Sequence, residues 1–95
     1  MFINYYYDDY NFFISDIAYI YSNTLKKVII TNSKNNKFKI NDIIVFINNF
    51  EIKSLKDIEL IFDNFNYVNI IARREINPLL NNTNYDHIDI LNEYF

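Results

Sequence analysis

Few residues of this chain have side chains suited to catalysis or metal binding. The sequence has no cysteine and a single histidine, His87, which is flanked by Asp86 and Asp89. A metal centre, or a nucleophile with its base, needs several such groups at suitable spacing, and the chain has no glycine with which to build a phosphate-binding loop. We therefore expect no catalytic residue, no metal site and no cofactor, and we interpret His87 as a solvated side chain. An independent enzyme is the least expected class.

The charges do not favour a nucleic-acid partner. The 95 residues include 9 basic and 12 acidic side chains, a net charge of -3, whereas binding to phosphates needs clustered Lys and Arg. Four tyrosines surround Asp8-Asp9, but stacking on bases works beside a positive groove, which this segment lacks. We interpret residues 1–14 as a packed or partly frayed aromatic leader. The pairs Asp8-Asp9 and Arg73-Arg74 are interpreted as solvated charge.

Length and hydropathy indicate one domain. A chain of 95 residues can bury a single hydrophobic core. No apolar run approaches the ~20 residues of a membrane span, and the first ten residues lack the basic segment and cleavage site of a signal peptide. We expect a cytosolic monomer that does not insert into a membrane.

The segment from Ile40 to Asn49 carries the clearest structural pattern. Its five consecutive apolar residues, 43–47, are rich in β-branched side chains and predict a buried strand. Because the chain has no glycine, any turn that requires a positive φ must use Asn or Asp, which tolerate that region next best. Asn41-Asp42 and Asn48-Asn49 therefore predict turns on either side of the strand.

Apolar patterns predict further strands on both sides. Alternating residues predict a strand over 15–21, and an apolar run predicts another over 25–31, followed by a polar loop at 32–36. A short strand is predicted over 50–53 and a longer one over 67–72.

A helix is predicted between the last two strands. Ser54 fits the helix cap and Asp57 the first turn, where a carboxylate interacts favourably with the helix dipole. The apolar residues behind them recur at helical spacing, which predicts one buried face. These residues are Leu55, Ile58, Ile61, Phe62 and Phe65.

This order of elements is accompanied by a family resemblance. Residues Phe38–Asn49 resemble the Leu-x-x-Gly-Asp-x-Ile-Leu-x-Val-Asn-Gly pattern of PDZ domains, with Asn41 and Asn49 in place of both glycines. Residues Ile52–Ile58 resemble the helix entry of PDZ domains attached to HtrA-type proteases, and Val68–Arg74 resemble the last PDZ strand with its trailing arginine.

The resemblance implies an α+β fold. We expect a PDZ-like, small, mostly antiparallel β-sandwich or partly open barrel of five to six strands, capped by one main helix. The expected divisions are an aromatic leader at 1–14, the PDZ-like domain at 15–76 and a C-terminal extension at 77–95. Within the extension, the tail fits either a short strand or a short helix stripe.

The resemblance also implies a binding mechanism. PDZ domains take a peptide as an added strand between the second strand and the helix, and a Φ-Gly-Φ loop holds the peptide carboxylate. The matching triplet is Ile17-Ala18-Tyr19, with alanine in the central place, and the helix stripe facing the groove is Leu55, Glu59 and Phe62. The expected partner is a protein or peptide C-terminus with a hydrophobic last residue. The apolar members of this set fit an ordinary core equally well.

Two functions follow from the resemblance. The first is a non-enzymatic adaptor module that takes a partner's C-terminal or internal segment as an added β-strand. The alternative is a regulatory or substrate-sensing PDZ domain of a protease or of a proteasome-assembly chaperone, whose helix entry and final arginine strand are also similar.

Overall fold

The computed structural model describes residues 1–75 of the chain. In that part the chain forms six strands and two helices, which confirms the predicted α+β class. The predicted C-terminal extension, with His87, lies outside the described residues. The elements in chain order are β1 (Phe2–Tyr7), α1 (Tyr10–Asp16), β2 (Ile17–Ser22), β3 (Lys27–Ser33), β4 (Ile43–Ile47), β5 (Phe50–Glu51), α2 (Leu55–Asn64) and β6 (Val68–Arg73).

All strand pairs are antiparallel, and the sheet is open. The strand order is β1-β6-β4-β3-β2, with the short β5 paired to β4 outside this path. Within residues 1–75, β1 and β2 are therefore the two edges of the sheet. The predicted antiparallel sheet of five to six strands with one main helix, α2, is confirmed, and α1 is added to it.

The segment interpreted as a leader is part of the sheet. β1 pairs with β6 along its whole length, from Phe2 opposite Arg73 to Tyr7 opposite Val68. Alternate residues of β1 turn inward: Ile3 and Tyr5 are partly buried and Tyr7 is fully buried. The segment is thus packed rather than frayed, and the boundary expected at residue 14 falls inside α1.

The short helix α1 begins and ends at identifiable residues. Asp9 is its N-cap, and its carboxylate accepts a hydrogen bond of 2.8 Å from the backbone N–H of Asn11. Phe13 is the buried residue of the helix, and the chain becomes extended at Ile17, the first residue of β2. Asp9 therefore caps α1 and is not only a solvated charge.

The predicted turns without glycine are confirmed. Asn41, Asn48 and Asn49 have φ values of 77°, 53° and 70°, in the left-handed region that Asn tolerates best after glycine. Lys26 also has a positive φ, 58°, which its residue type did not predict. Asn48 does more than turn the chain. Its side-chain amide donates to the Tyr67 carbonyl at 2.9 Å and accepts from the Asn69 N–H at 2.7 Å.

One cluster of buried side chains joins the sheet to both helices. From α2 it includes Ile58 and Ile61, with Phe65 partly buried against it, and these are three of the residues predicted for the buried helix face; from α1 it includes Phe13. The entry to α2 follows the prediction: the Asp57 carboxylate accepts from the backbone N–H of Lys53 at 2.7 Å and of Ser54 at 3.1 Å. These bonds satisfy donors that a helix start would otherwise leave unpaired.

A buried ion pair joins the end of β6 to the turn before β4. Asp42 is 1% exposed, and its two carboxylate oxygens accept from Arg74 Nε at 2.9 Å and Nη2 at 2.8 Å. The Lys39 N–H donates to the same carboxylate at 2.8 Å, and Arg74 Nη2 also donates to the Lys37 carbonyl at 3.0 Å. The interpretation of Arg74 as solvated charge is therefore wrong. The sequence contained its partner 32 residues away, where no local pattern connects the two.

Removal of either charge of this pair should destabilise the fold. We expect Arg74→Met to lower the free energy of unfolding by about 3 kcal/mol or more, because the buried Asp42 carboxylate would lose its counter-charge. The double variant Asp42→Asn with Arg74→Met should be more stable than Arg74→Met alone. Urea unfolding measures both. A loss below about 1 kcal/mol for Arg74→Met, as for an exposed pair, would contradict the structural role.

Substitutions in the Asn48-Asn49 turn should separate backbone strain from side-chain bonding. Glycine adopts positive φ freely at both positions, so Asn49→Gly should leave stability unchanged or raise it. Asn48→Gly also loses the two side-chain bonds to the chain around β6, and we expect it to cost about 1–2 kcal/mol. Thermal or urea unfolding of the two variants checks this. Equal stabilities would show that the Asn48 amide contributes nothing.

Candidate functional site

The triplet predicted to form part of a groove lies at the start of β2. Ile17 is 3% exposed and belongs to the core, so for this residue the ordinary core interpretation is the one the structure supports. Ala18 is exposed, and Tyr19 is partly buried against the core. A ligand at this strand would meet Ala18 and Tyr19 rather than Ile17.

The helix residues predicted to face the groove lie on a different face of α2 from its fully buried residues. Leu55 and Glu59 are exposed, and Phe62 is partly buried against the core. Their spacing of four and then three residues places the three side chains along one face of the helix. Ile58 and Ile61 occupy the buried face instead.

Phe13 of helix α1, which was not among the predicted site residues, packs between β2 and α2. Phe13 is completely buried, and its ring lies 5.8 Å from that of Tyr19 on β2 and 5.9 Å from that of Phe62 on α2, measured between centroids. Tyr10 stacks on Phe62 at 4.8 Å with an interplanar angle of 13°. The space between Tyr19 and Phe62 is thus filled by the protein's own aromatic side chains.

A signal for this packing was present in the sequence. Tyr10, Phe13 and Ile17 are spaced by three and four residues, which is the spacing of one helix face. The run of tyrosines before it obscured the pattern, because tyrosine fits strands, helices and exposed surfaces alike.

Helix α1 stands where the PDZ resemblance implies a loop with free N–H groups. At the end of α1, the backbone N–H of Ile17 donates to the carbonyl of Phe13. The neighbouring Asp16 carbonyl accepts from the Lys34 N–H at 2.8 Å. The first N–H of the triplet is therefore committed to the helix end and is not free to hold a carboxylate.

The outer edge of β2 carries unpaired backbone groups. Both polar backbone groups of Ile30 point to the β4 side, since its N–H donates to Asp42 and its carbonyl accepts from Asn41, each at 2.8 Å. Tyr19 is the register partner of Ile30, so it belongs to a non-hydrogen-bonded pair and turns its own N–H and carbonyl outward. Tyr21, two residues on, is oriented in the same way. Among residues 1–75 no strand pairs with this edge.

The Tyr19 end of this edge lies beside the acidic Glu59, whereas Lys26 and Lys27 lie at the Ser22 end. Residues 1–25 contain no Lys or Arg, and Glu59 is close enough to Tyr19 to act on its titration. Burial raises the pKa of Tyr19, and the negative charge of Glu59 raises it further. Glu59 has no ion-pair partner within 4.0 Å in the described part of the chain. The β2 edge therefore lies beside an acidic side chain without an ion-pair partner in the described structure.

A buried tyrosine anchors α1 to the sheet. The Tyr7 hydroxyl donates to the Asp16 carboxylate at 3.2 Å and accepts from the Asn35 amide at 3.1 Å. Burial raises the pKa of Tyr7 from 10.0 to about 12, a rise that the Asn35 bond partly offsets and the Asp16 charge reinforces. The neutral phenol thus holds the last residue of α1 and the loop after β3 in one network.

This network predicts a pH dependence of stability. The raised pKa means that the contribution of Tyr7 is complete below pH 10 and is lost as the pH rises through about 12. Tyr7→Phe should cost about 1–2 kcal/mol at neutral pH, and this deficit should shrink from about pH 9 to pH 12. Urea unfolding at a series of pH values measures the difference. Tyr6→Phe, at an exposed position, is the control, and parallel curves for the native protein and Tyr7→Phe would contradict the assignment.

A concave surface lies on the flank of α2 that faces β5. It is a cavity of about 260 Å³ that is open to solvent between β5 and the helix. It is lined by Phe50, Glu51, Asp57, Leu60, Ile61, Asn64 and Phe65. The described residues contain no cluster of side chains that could hold a metal ion, and none of their helices is long and apolar enough to cross a membrane.

Comparisons of the chain with protein-family models, with curated proteins and with solved structures find no match.

Proposed function

We propose that this chain is a PDZ-like protein-interaction module that takes an extended segment of a partner protein as an added strand on the outer edge of β2, beside α2. The observation that carries the proposal is the pair of outward-facing backbone positions, Tyr19 and Tyr21, on a sheet edge that no described strand covers. Such an edge is a template for strand addition, in which main-chain hydrogen bonds supply affinity and alternate side chains supply specificity.

The neighbouring side chains suit a bound strand. Ile20 is 50% exposed on β2 and Leu55 is 39% exposed at the start of α2, so apolar surface is available on both sides. Burial of such surface adds roughly 25 cal/mol for each Å² removed from water. Glu59 supplies a polar contact on the helix side.

The order of the elements is also the one that the PDZ resemblance implies. The chain forms, in this order, the edge strand β2, its partner β3, the hairpin of β4 and β5 after the Asn41 turn, the main helix α2 and the closing strand β6. The proposal assigns the protein no catalytic step, and it keeps the cytosolic location and monomeric state expected from the sequence.

A proline at an outward-facing position tests strand addition. Tyr21→Pro removes an N–H that points away from β3, so the fold should persist, whereas an added strand would lose a hydrogen-bond donor. The probe is a peptide selected by the native protein from a phage-displayed library of random segments. We expect Tyr21→Pro to weaken its binding by about ten-fold or more relative to Tyr21→Ala, which removes only the side chain. Isothermal titration calorimetry measures the affinities, and circular dichroism checks the fold.

Two outcomes would contradict the proposal. One is that the library gives no peptide that binds above background. The other is that Tyr21→Pro and Tyr21→Ala bind the selected peptide equally well while both remain folded.

A further inference from the structure

We infer that the segment recognised at the β2 edge is an internal one that carries a basic residue, and not a free C-terminus with a hydrophobic last residue. This inference rests on the proposed function and specifies its ligand. Three features of the groove lead to it: the position of α1, the use of the N–H of Ile17, and the sign of the charge.

The position of α1 removes the pocket that a terminal side chain would need. In the arrangement that the resemblance implies, the last side chain of the peptide enters between β2 and the main helix. Here Phe13 already occupies that space, fully buried between Tyr19 and Phe62. Tyr10 covers Phe62 from the side of α1. A ligand that ended at this point would have no apolar cavity for its final residue.

The hydrogen bonds at this end also disfavour a carboxylate. The N–H of Ile17, the first donor of the triplet, is bonded to the Phe13 carbonyl at the helix end. A carboxylate placed there would lose water and gain fewer donors than burial of a charge requires. An internal segment is neutral at the same point, and it can leave the groove over the exposed Ala18.

The charge favours a basic side chain in the ligand. Residues 1–25 contribute acidic groups and no Lys or Arg, and Glu59 faces Tyr19 from α2 closely enough to raise its pKa, after the larger effect of burial. On α2 the basic residue nearest in sequence to Glu59 is Lys56, and next to β2 the nearest are Lys26 and Lys27, which lie at the Ser22 end of the strand, away from Tyr19. None of these forms an ion pair with Glu59 in the described structure. A ligand Lys or Arg would supply the missing counter-charge.

The test uses two phage libraries of equal size, one that displays free C-termini and one that displays the same random segments internally. Peptides selected from each are synthesised as the free acid, as the amide and with a neutral extension after the last residue. We expect binders from the internal library, and affinities that change by less than about two-fold among the three forms. Binding by the free acid that is about ten-fold tighter than by the amide would overturn the inference and leave strand addition standing.

A charge reversal tests the basic residue. In a selected peptide, Lys or Arg exchanged for Glu should weaken binding to the native protein by about five-fold, the effect of a partly exposed ion pair. Glu59→Lys should reverse this preference, because it converts the attraction into repulsion. Glu51→Lys, an exposed change on β5, is the matched control and should leave the preference unchanged. If Glu59→Lys kept the native preference, the assignment of Glu59 would fail.

The two levels of the proposal fail in different ways. If neither library gives a peptide whose binding is sensitive to Tyr21→Pro, the proposed function itself is wrong. If peptides bind at the β2 edge but require a free carboxylate or show no preference for a basic residue, only the inference about the ligand is wrong.

Discussion

The fold depends on the buried ion pair between Asp42 and Arg74. Taking the Asp42 charge out of water is costly, and this cost is offset because the carboxylate accepts from both the partly exposed Arg74 guanidinium and the Lys39 N–H. The pair fixes the turn before β4 to the end of β6, the strand on which both β1 and β4 are paired. The hydrogen bonds that Arg74 donates to Asp42 also raise the pKa of the Arg74 guanidinium, and the charge of Asp42 raises it further.

The turns before and after β4 form without glycine. Asn41 lies in the turn before β4, and Asn48 lies in the turn after it, where its amide bonds to Tyr67 and Asn69 at the start of β6. Each asparagine in the left-handed region costs more than glycine would there. Asn48 offsets this cost with hydrogen bonds that glycine does not make. The absence of glycine thus yields a turn that is both a bend and a cross-link between neighbouring strands.

The sequence predicted the elements whose patterns are local. Apolar spacing, an asparagine turn or a helix cap within a short stretch of sequence predicts each of the strands β2 to β6 and the helix α2. The structure confirms these elements. β1 and α1 were not predicted, because tyrosine carries no firm preference for one environment and a helix of seven residues shows less than two clear periods. Asp42 and Arg74 could not be paired, since nothing local relates two residues so far apart.

The candidate site was predicted to the same limited extent. Tyr19, Glu59 and Phe62 do lie together, because the spacing of a strand and of a helix face places them on facing surfaces. Ile17 does not join them, since α1 runs directly into β2 and draws this residue into the core. The contribution of Phe13 arises from tertiary packing, which residue spacing within one element does not contain.

The outward-facing backbone groups of Tyr19 and Tyr21 have a consequence for how many positions of a ligand the β2 edge could distinguish. Outward backbone groups recur at every second residue of this edge, so a strand laid along it would present only alternate side chains to α2. A short edge that contacts only alternate side chains of a ligand distinguishes few of the ligand's positions. Discrimination among many similar segments in a cell would then depend less on the groove than on which proteins are held near it.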